Sequence, residues 1–176
     1  MAPTRKPRRQ VPQRPEPVTT PEESDVKAPR DLGVLHQILG FKLRRIQNHL
    51  SRNLSQRSDF GGHKSGEFSA LAIIHANPGL SQVALADEVG LDKAMTGLVV
   101  DQLEYDGLVR RERALDDRRR NLLFATDLGV RTLDEWVRIA LEVEEPVRKT
   151  LSTAEFAIVS ELLDRIYHKC FNSDET

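Results

Sequence analysis

Ser81-Gln82-Val83-Ala84-Leu85-Ala86-Asp87-Glu88-Val89-Gly90 runs directly into Leu91-Asp92-Lys93-Ala94-Met95-Thr96-Gly97-Leu98-Val99-Val100-Asp101-Gln102-Leu103-Glu104-Tyr105-Asp106-Gly107. Ser81 and Asp92 are each suited to cap a helix start, and Gly90 and Gly107 are suited to end one, so the spacing predicts two short helices joined by a tight turn. After Leu108, two apolar-alternating stretches, 108–113 and 121–125, flank the polar segment Ala114-Leu115-Asp116-Asp117-Arg118-Arg119-Arg120. That pattern predicts a hairpin. Upstream, Lys64 to Ala76 reads as a further helix carrying Phe68, Leu71, Ala72 and Ile74, stopped by Asn77-Pro78-Gly79.

A helix, a Gly-containing turn, a second helix and a basic-tipped hairpin form the order of elements of a winged helix-turn-helix. The turn holds two helices at a steep angle, so the second fits a major groove about 12 Å wide while the first crosses the phosphate backbone. Ser81 offers a hydroxyl and a helix N-terminus to a phosphate oxygen. Helix–glycine–helix alone is weak evidence, because helical hairpins with no nucleic-acid role are common. The hairpin adds more. Residues 109–125 carry six arginines against Glu112, Asp116 and Asp117, a local net charge of +3. Successive arginines at a loop tip repel one another, which suits insertion into a narrow, electronegative minor groove better than a solvated turn.

The flanks read differently. Residues 1–31 hold seven of the nine prolines and a cluster Arg5-Lys6-Pro7-Arg8-Arg9, too little apolar surface to offset ordering, so a disordered basic tail is expected there. Such a cluster grips phosphates at low specificity, or is simply a solvated extension. From Asp31, Leu32, Leu35, Leu39, Leu43, Ile46, Leu50 and Leu54 recur at steps of three and four, predicting one helix of about 25 residues with an apolar stripe. Asp127 to about Glu145 predicts another long helix with Leu133, Val137, Ala140 and Leu141 along its seam and Trp136 beside it, bent or restarted at Pro146. Ser152 with Glu155 is a capping box for a last helix carrying Phe156, Val159, Leu163, Ile166 and Cys170. The fold class expected is mainly α with a small β wing: a dimerisation helix over 32–60, a winged helix-turn-helix over 61–129 and C-terminal dimerisation helices over 130–176.

Composition excludes several classes. The 176 residues, 39% hydrophobic and 30% charged, suit one soluble domain with an appendage. Apolar runs as short as Leu98-Val99-Val100 exclude a transmembrane helix, and no apolar segment follows the basic start as in a secretory signal, so a cytoplasmic protein is expected. Net charge is −1, but residues 1–64 carry +7 and residues 65–176 carry −8, so neutrality is an average over unlike parts. The five histidines show no HxxxH, HxH or HExxH spacing, so no metal or cofactor is expected. No GxSxG or Gly-rich phosphate loop points to an enzyme.

Gly90-Leu91-Asp92-Lys93, then Val100-Asp101-Gln102-Leu103-Glu104-Tyr105-Asp106-Gly107-Leu108-Val109-Arg110-Arg111, then Asp117-Arg118-Arg119 and Thr126-Asp127-Leu128-Gly129 resemble the signature of the MarR transcriptional regulators, over about residues 32–171. The resemblance implies a homodimer that binds a palindromic double-stranded DNA operator, usually as a repressor released by a small ligand. It implies Arg119 in the minor groove, braced by Asp117, with Arg118 and Arg120 beside it. Ser81 and Gln82 then contact phosphates, and Lys93, Ala94, Met95, Gly97, Leu98 and Gln102 form the reading helix.

The chain departs from that family at Met95, Gly97 and Leu98, where small hydroxyl or basic side chains are usual. Thr96 falls at a position usually buried. Readout is therefore expected to lean on thymine methyl groups and DNA shape rather than on several bidentate hydrogen bonds. An anionic or aromatic effector is implied between the DNA-binding lobe and the dimer helices. Arg44, Arg45 and His49 offer it a basic face, which is equally a solvated helix surface, and Phe41, Phe68 and Trp136 are among the few aromatics available. Two other readings use the same residues. A protein-interaction module that has lost DNA binding fits the apolar reading helix but not the arginine tip, and a redox sensor fits Cys170, although a cysteine on an apolar seam is inert when buried.

Overall fold

The computed structural model describes residues 31–114 and 121–171. The described residues up to Gln37 and those from Ile38 onward fall in separate units. In the first, Gly33–Gln37 makes a 3-10 turn, with Gly33 at φ +52° donating its N–H to Asp31 Oδ1 at 2.9 Å. In the second, the elements in chain order are α1 (Leu39–Ser55), α2 (Ser65–Ala76), β1 (Leu80–Ser81), α3 (Gln82–Val89), α4 (Lys93–Tyr105), β2 (Val109–Arg113), β3 (Asn121–Ala125), α5 (Asp127–Arg148) and α6 (Thr153–Phe171). The helix expected from Asp31 therefore starts at Leu39. Left-handed Gly33 and extended, β-branched Ile38 (φ −92°, ψ 106°) interrupt a chain whose apolar spacing continues across the break.

The local signals in the middle of the chain act as their chemistry dictates. Ala84 N–H donates to Ser81 Oγ at 3.2 Å, Met95 N–H donates to Asp92 Oδ1 at 2.8 Å, and Gly90 closes α3 in the left-handed region at φ +69°. The hairpin pairs Val109 with Ala125 and Arg113 with Asn121 in antiparallel register. A third strand joins it: Leu80 and Ser81 pair with Leu123 and Leu122, so the strand order is β1-β3-β2. Two residues are too few to alternate visibly in a sequence.

Helices α2, α3 and α4 pack on this sheet and on α5 around Phe60, Leu71, Ile74, Leu85, Leu103 and Leu123, all of them inaccessible to solvent. Helix α5 enters the core through Thr126-Asp127-Leu128-Gly129. Thr126 Oγ1 accepts the Gly129 N–H at 3.0 Å and donates to the Gly107 carbonyl at 2.7 Å. A Cβ on Gly129 would lie 2.0 Å from the Leu108 carbonyl oxygen, so only glycine allows this approach.

Helix α5 corrects two expectations. It does not restart at Pro146 but runs through it to Arg148, the proline's missing N–H falling in the last turn. Its core face is Gly129, Leu133, Trp136 and Ile139, while Val137 and Leu141 are exposed. Helix α6 begins at the expected capping box, with Ser152 N–H donating to Glu155 Oε2 at 2.8 Å and Glu155 N–H to Ser152 Oγ at 3.3 Å. Ser152 holds the Glu155 carboxyl below the ordinary carboxylate range. No residue of α6 is buried, and Cys170, expected on a covered seam, is exposed in the single chain.

Candidate nucleic-acid interface

Helix α4 is fastened by one face and offers the other. Thr96, Val100 and Leu103 are buried, and Thr96 Oγ1 donates to the Asp92 carbonyl at 2.9 Å, so this threonine belongs to the core. Lys93, Ala94, Met95, Leu98, Asp101 and Gln102 are exposed. Gln102 Nε2 donates to Asp106 Oδ2 at 2.8 Å, which draws that amide toward the end of its own helix. Gly97 is half-buried beneath the N-terminus of α3: a Cβ there would stand 3.4 Å from Gln82 Nε2, so the absent side chain makes room for the Gln82 amide. Ser81, Gln82, Met95, Gly97 and Leu98, far apart as types, thus share one surface. Ser81 Oγ is engaged as an acceptor by Ala84 N–H, which leaves its own proton available to a phosphate.

The wing strands β2 and β3 are described up to Ala114 and from Asn121; Asp117, Arg118, Arg119 and Arg120 lie outside the described residues. The strands sort the remaining arginines. Arg111 pairs with Glu104 and, at 2.5 Å, with Asp101 Oδ1, both on α4, and its side chain is 19% exposed. Arg110 lies over the Phe124 ring, 4.6 Å from its centroid, and pairs with Glu112. Of the six arginines behind the local +3, Arg111 is therefore neutralised by acids of α4 and ties the wing to the reading helix, while Arg110 pairs at the surface with Glu112, which that sum already includes. The Arg111 pairing is not legible in the sequence, because it depends on where the turn at Gly107 aims the strand, whereas Arg110 and Glu112 are i,i+2 neighbours on one face of β2.

Behind this surface sits a second polar cluster that sequence spacing did not reveal. His63 Nδ1 lies 2.6 Å from Glu67 Oε2 and 3.9 Å from Asp106 Oδ2, and its ring stacks on Trp136 at 4.6 Å. Glu67, 7% exposed, also accepts the Lys64 N–H, so its buried charge is satisfied where α2 begins. On the opposite side of α2, a cleft of about 380 Å³ opens between α1, α2 and α5, walled by Leu43, Ile46, Leu50, Phe68 and Val143, with Glu144 at its rim. Arg44, Arg45 and His49 are exposed on α1 and are not among the residues lining it. Arg44 reaches over Phe41, and His49 Nε2 lies 3.1 Å from Asn53 Nδ2. Of the aromatics expected near an effector, Phe68 lines the cleft and Trp136 is buried in the core. Among the described residues no group of His, Cys, Asp and Glu is placed to hold a metal ion, and no helix is long and apolar enough to cross a membrane.

Taken together, a capped helix-turn-helix, a three-stranded wing and an exposed reading helix define a winged-helix DNA-binding protein. The MarR family model matches residues 64–120. A putative transcriptional regulatory protein for the hcr operon of Thauera aromatica is 36% identical over 132 residues, covering 74% of this chain and 80% of that protein. Among solved structures, the transcriptional repressor CouR bound to a 23-mer DNA duplex superposes with a TM-score of 0.68 at 26% identity, covering 80% of this chain and 99% of that one. The PcaV regulator of Streptomyces coelicolor in complex with its natural ligand gives 0.63 at 28% identity, covering 80% and 97%. The chain belongs to the MarR family and is a DNA-binding transcriptional regulator rather than an enzyme.

Proposed function

We propose that the chain works as a homodimer on a palindromic operator, as a repressor released by a small ligand. The observation that carries this reading is the division of labour on α4, whose buried face fixes it to the lobe while Lys93, Ala94, Met95, Leu98 and Gln102 stay exposed. In this reading Ser81 and Gln82 grip phosphates, α4 enters the major groove, and Arg119, flanked by Asp117, Arg118 and Arg120, enters the minor groove. Residues 61–129 are the DNA-binding lobe; residues 32–60 and 130–176 supply the dimer. Support for the dimer is the apolar surface left uncovered on α1 (Leu39, Leu43, Ile46) and α6 (Ile158, Leu162, Ile166). Operator DNA as the target implies work in the cytoplasm.

The cleft between α1, α2 and α5 is our candidate effector site. Its apolar walls suit an aromatic body, and Arg44, Arg45 and His49, exposed on α1 outside that lining, are the groups we assign to an anionic one. A ligand that prefers a dimer with the wrong spacing between lobes lowers operator affinity by that preference. The test is operator selection from a genomic-fragment pool, followed by titration at two salt concentrations with a panel of small aromatic acids. Arg119→Ala is expected to weaken binding about tenfold. No binding at low salt, or an unchanged affinity in Arg119→Ala, sinks the proposal.

A further inference from the structure

Beyond the exposed Lys93 at its start, the first two turns of α4 offer few hydrogen-bonding side chains. Thr96 has turned its hydroxyl back to the Asp92 carbonyl and is buried, and Gly97 has no side chain. One turn further on, Asp101 is held by Arg111 and the Gln102 amide by Asp106. Apart from Lys93, the solvent-facing side chains of the first two turns are apolar: Met95 is 47% and Leu98 62% exposed, with the Ala94 methyl beside them. Large apolar side chains left in water on a surface that works against DNA need an apolar partner there. The major groove supplies one, the C5 methyl of thymine, the only methyl group on its base edges.

We propose that Leu98 and Met95 are specificity-determining residues that read thymine methyl groups in each operator half-site. The Gln82 amide, admitted by Gly97, stands at the border of the same patch. This inference rests on the reading that α4 enters the major groove. It adds that the groove must offer methyl-bearing bases at the positions facing Leu98 and Met95. It also accounts for an odd feature of the lobe: beyond Lys93, the reading helix has Asp101 and the Gln102 amide tied to neighbours while Met95 and Leu98 stay uncovered.

The experiment uses the full chain and a duplex selected by it from random DNA. The duplex is made in two forms, one natural and one with deoxyuridine in place of every half-site thymine, which removes the methyl and keeps each base-edge hydrogen-bonding group. Two or more lost methyl contacts are expected to weaken binding about tenfold. In Leu98→Ala the natural duplex is expected to bind more weakly and the gap between the two duplexes to shrink to about twofold, the non-additivity expected when two groups touch. Leu98 is exposed, so this variant is expected to keep the melting temperature of the parent. Met95→Ala gives a second, independent arm. Equal affinity for both duplexes, or an undiminished gap in both variants, overturns the methyl reading while leaving DNA binding intact. Failure to bind any duplex overturns the groove-entering reading itself.

Discussion

The winged lobe and helix α6 both carry apolar residues at regular spacing and reach opposite outcomes. In the lobe, Leu71, Ile74, Leu85, Val100, Leu103 and Leu123 are inaccessible to solvent, and helices, strands and α5 close over them. Along α6, Ile158, Val159, Leu162, Leu163, Ile166 and Tyr167 all remain exposed, although they recur at the same spacing. Helical periodicity thus says that a face must be covered and not by what. The lobe satisfies its own hydrophobic demand within the chain, whereas α6 and the start of α1 defer theirs to another surface.

Removing a core side chain from the lobe should show the first half of that contrast at its largest. Ile74→Ala is expected to cost about 4 kcal/mol of unfolding free energy by denaturant titration, and a loss independent of protein concentration would mark the lobe as self-sufficient. The second half is tested on α6. Leu163→Asp is expected to convert a sedimenting dimer to monomer and to weaken operator binding about 100-fold, since the two half-sites would no longer be linked. Near-parental binding by a monomer would erase the distinction between the regions.

Smaller effects refine it. Arg111→Ala frees the wing from Glu104 and Asp101 and is expected to cost about 1 kcal/mol of stability, together with a few-fold loss of operator affinity. If stability falls and affinity does not, the pairing serves the fold and not the orientation of the wing. The smallest effect concerns Arg57, which bridges Asp59 at 2.7 Å and Glu142 of α5 at 2.8 Å. Its hydrogen bonds hold the Asp59 carboxyl at about 2, against an ordinary 3.8, and lower Glu142 as well. A depressed carboxyl stabilises the fold above its unfolded value, so this contribution should fade as pH falls from about 3.8 toward about 2. Asp59→Asn should therefore differ in melting temperature from the parent at neutral pH and converge with it in acid.

The parts legible in the sequence were those governed by neighbours. Ser81, Asp92, Gly90 and Gly107 announce helix ends because a cap or a left-handed turn is decided within four residues. The two-residue strand β1 was not legible, nor was the buried His63–Glu67 pair, since each depends on a partner supplied by distant chain. Helix α5 shows the boundary between the cases. Its spacing allowed either Val137 and Leu141 or Trp136 and Ile139 to face inward, and the close approach at Gly129 selects the latter. On the reading surface, Leu98 was recognisable as a departure from its family, while the engagement of Asp101 and Gln102 needed three dimensions.

Strand β1 carries a mechanical consequence. Ser81 is at once the cap of α3 and, through its pairing with Leu122, a rung of the sheet that continues into the wing. The base of the wing and the start of α3 are therefore two jaws of one caliper, with their separation set by backbone hydrogen bonds within a closed core. Such a tool cannot be opened by flexing a hinge inside itself. In the dimer proposed above, an effector is therefore expected to tilt one caliper against the other, changing the distance between half-sites that can be spanned and leaving each half-site's own footprint unaltered.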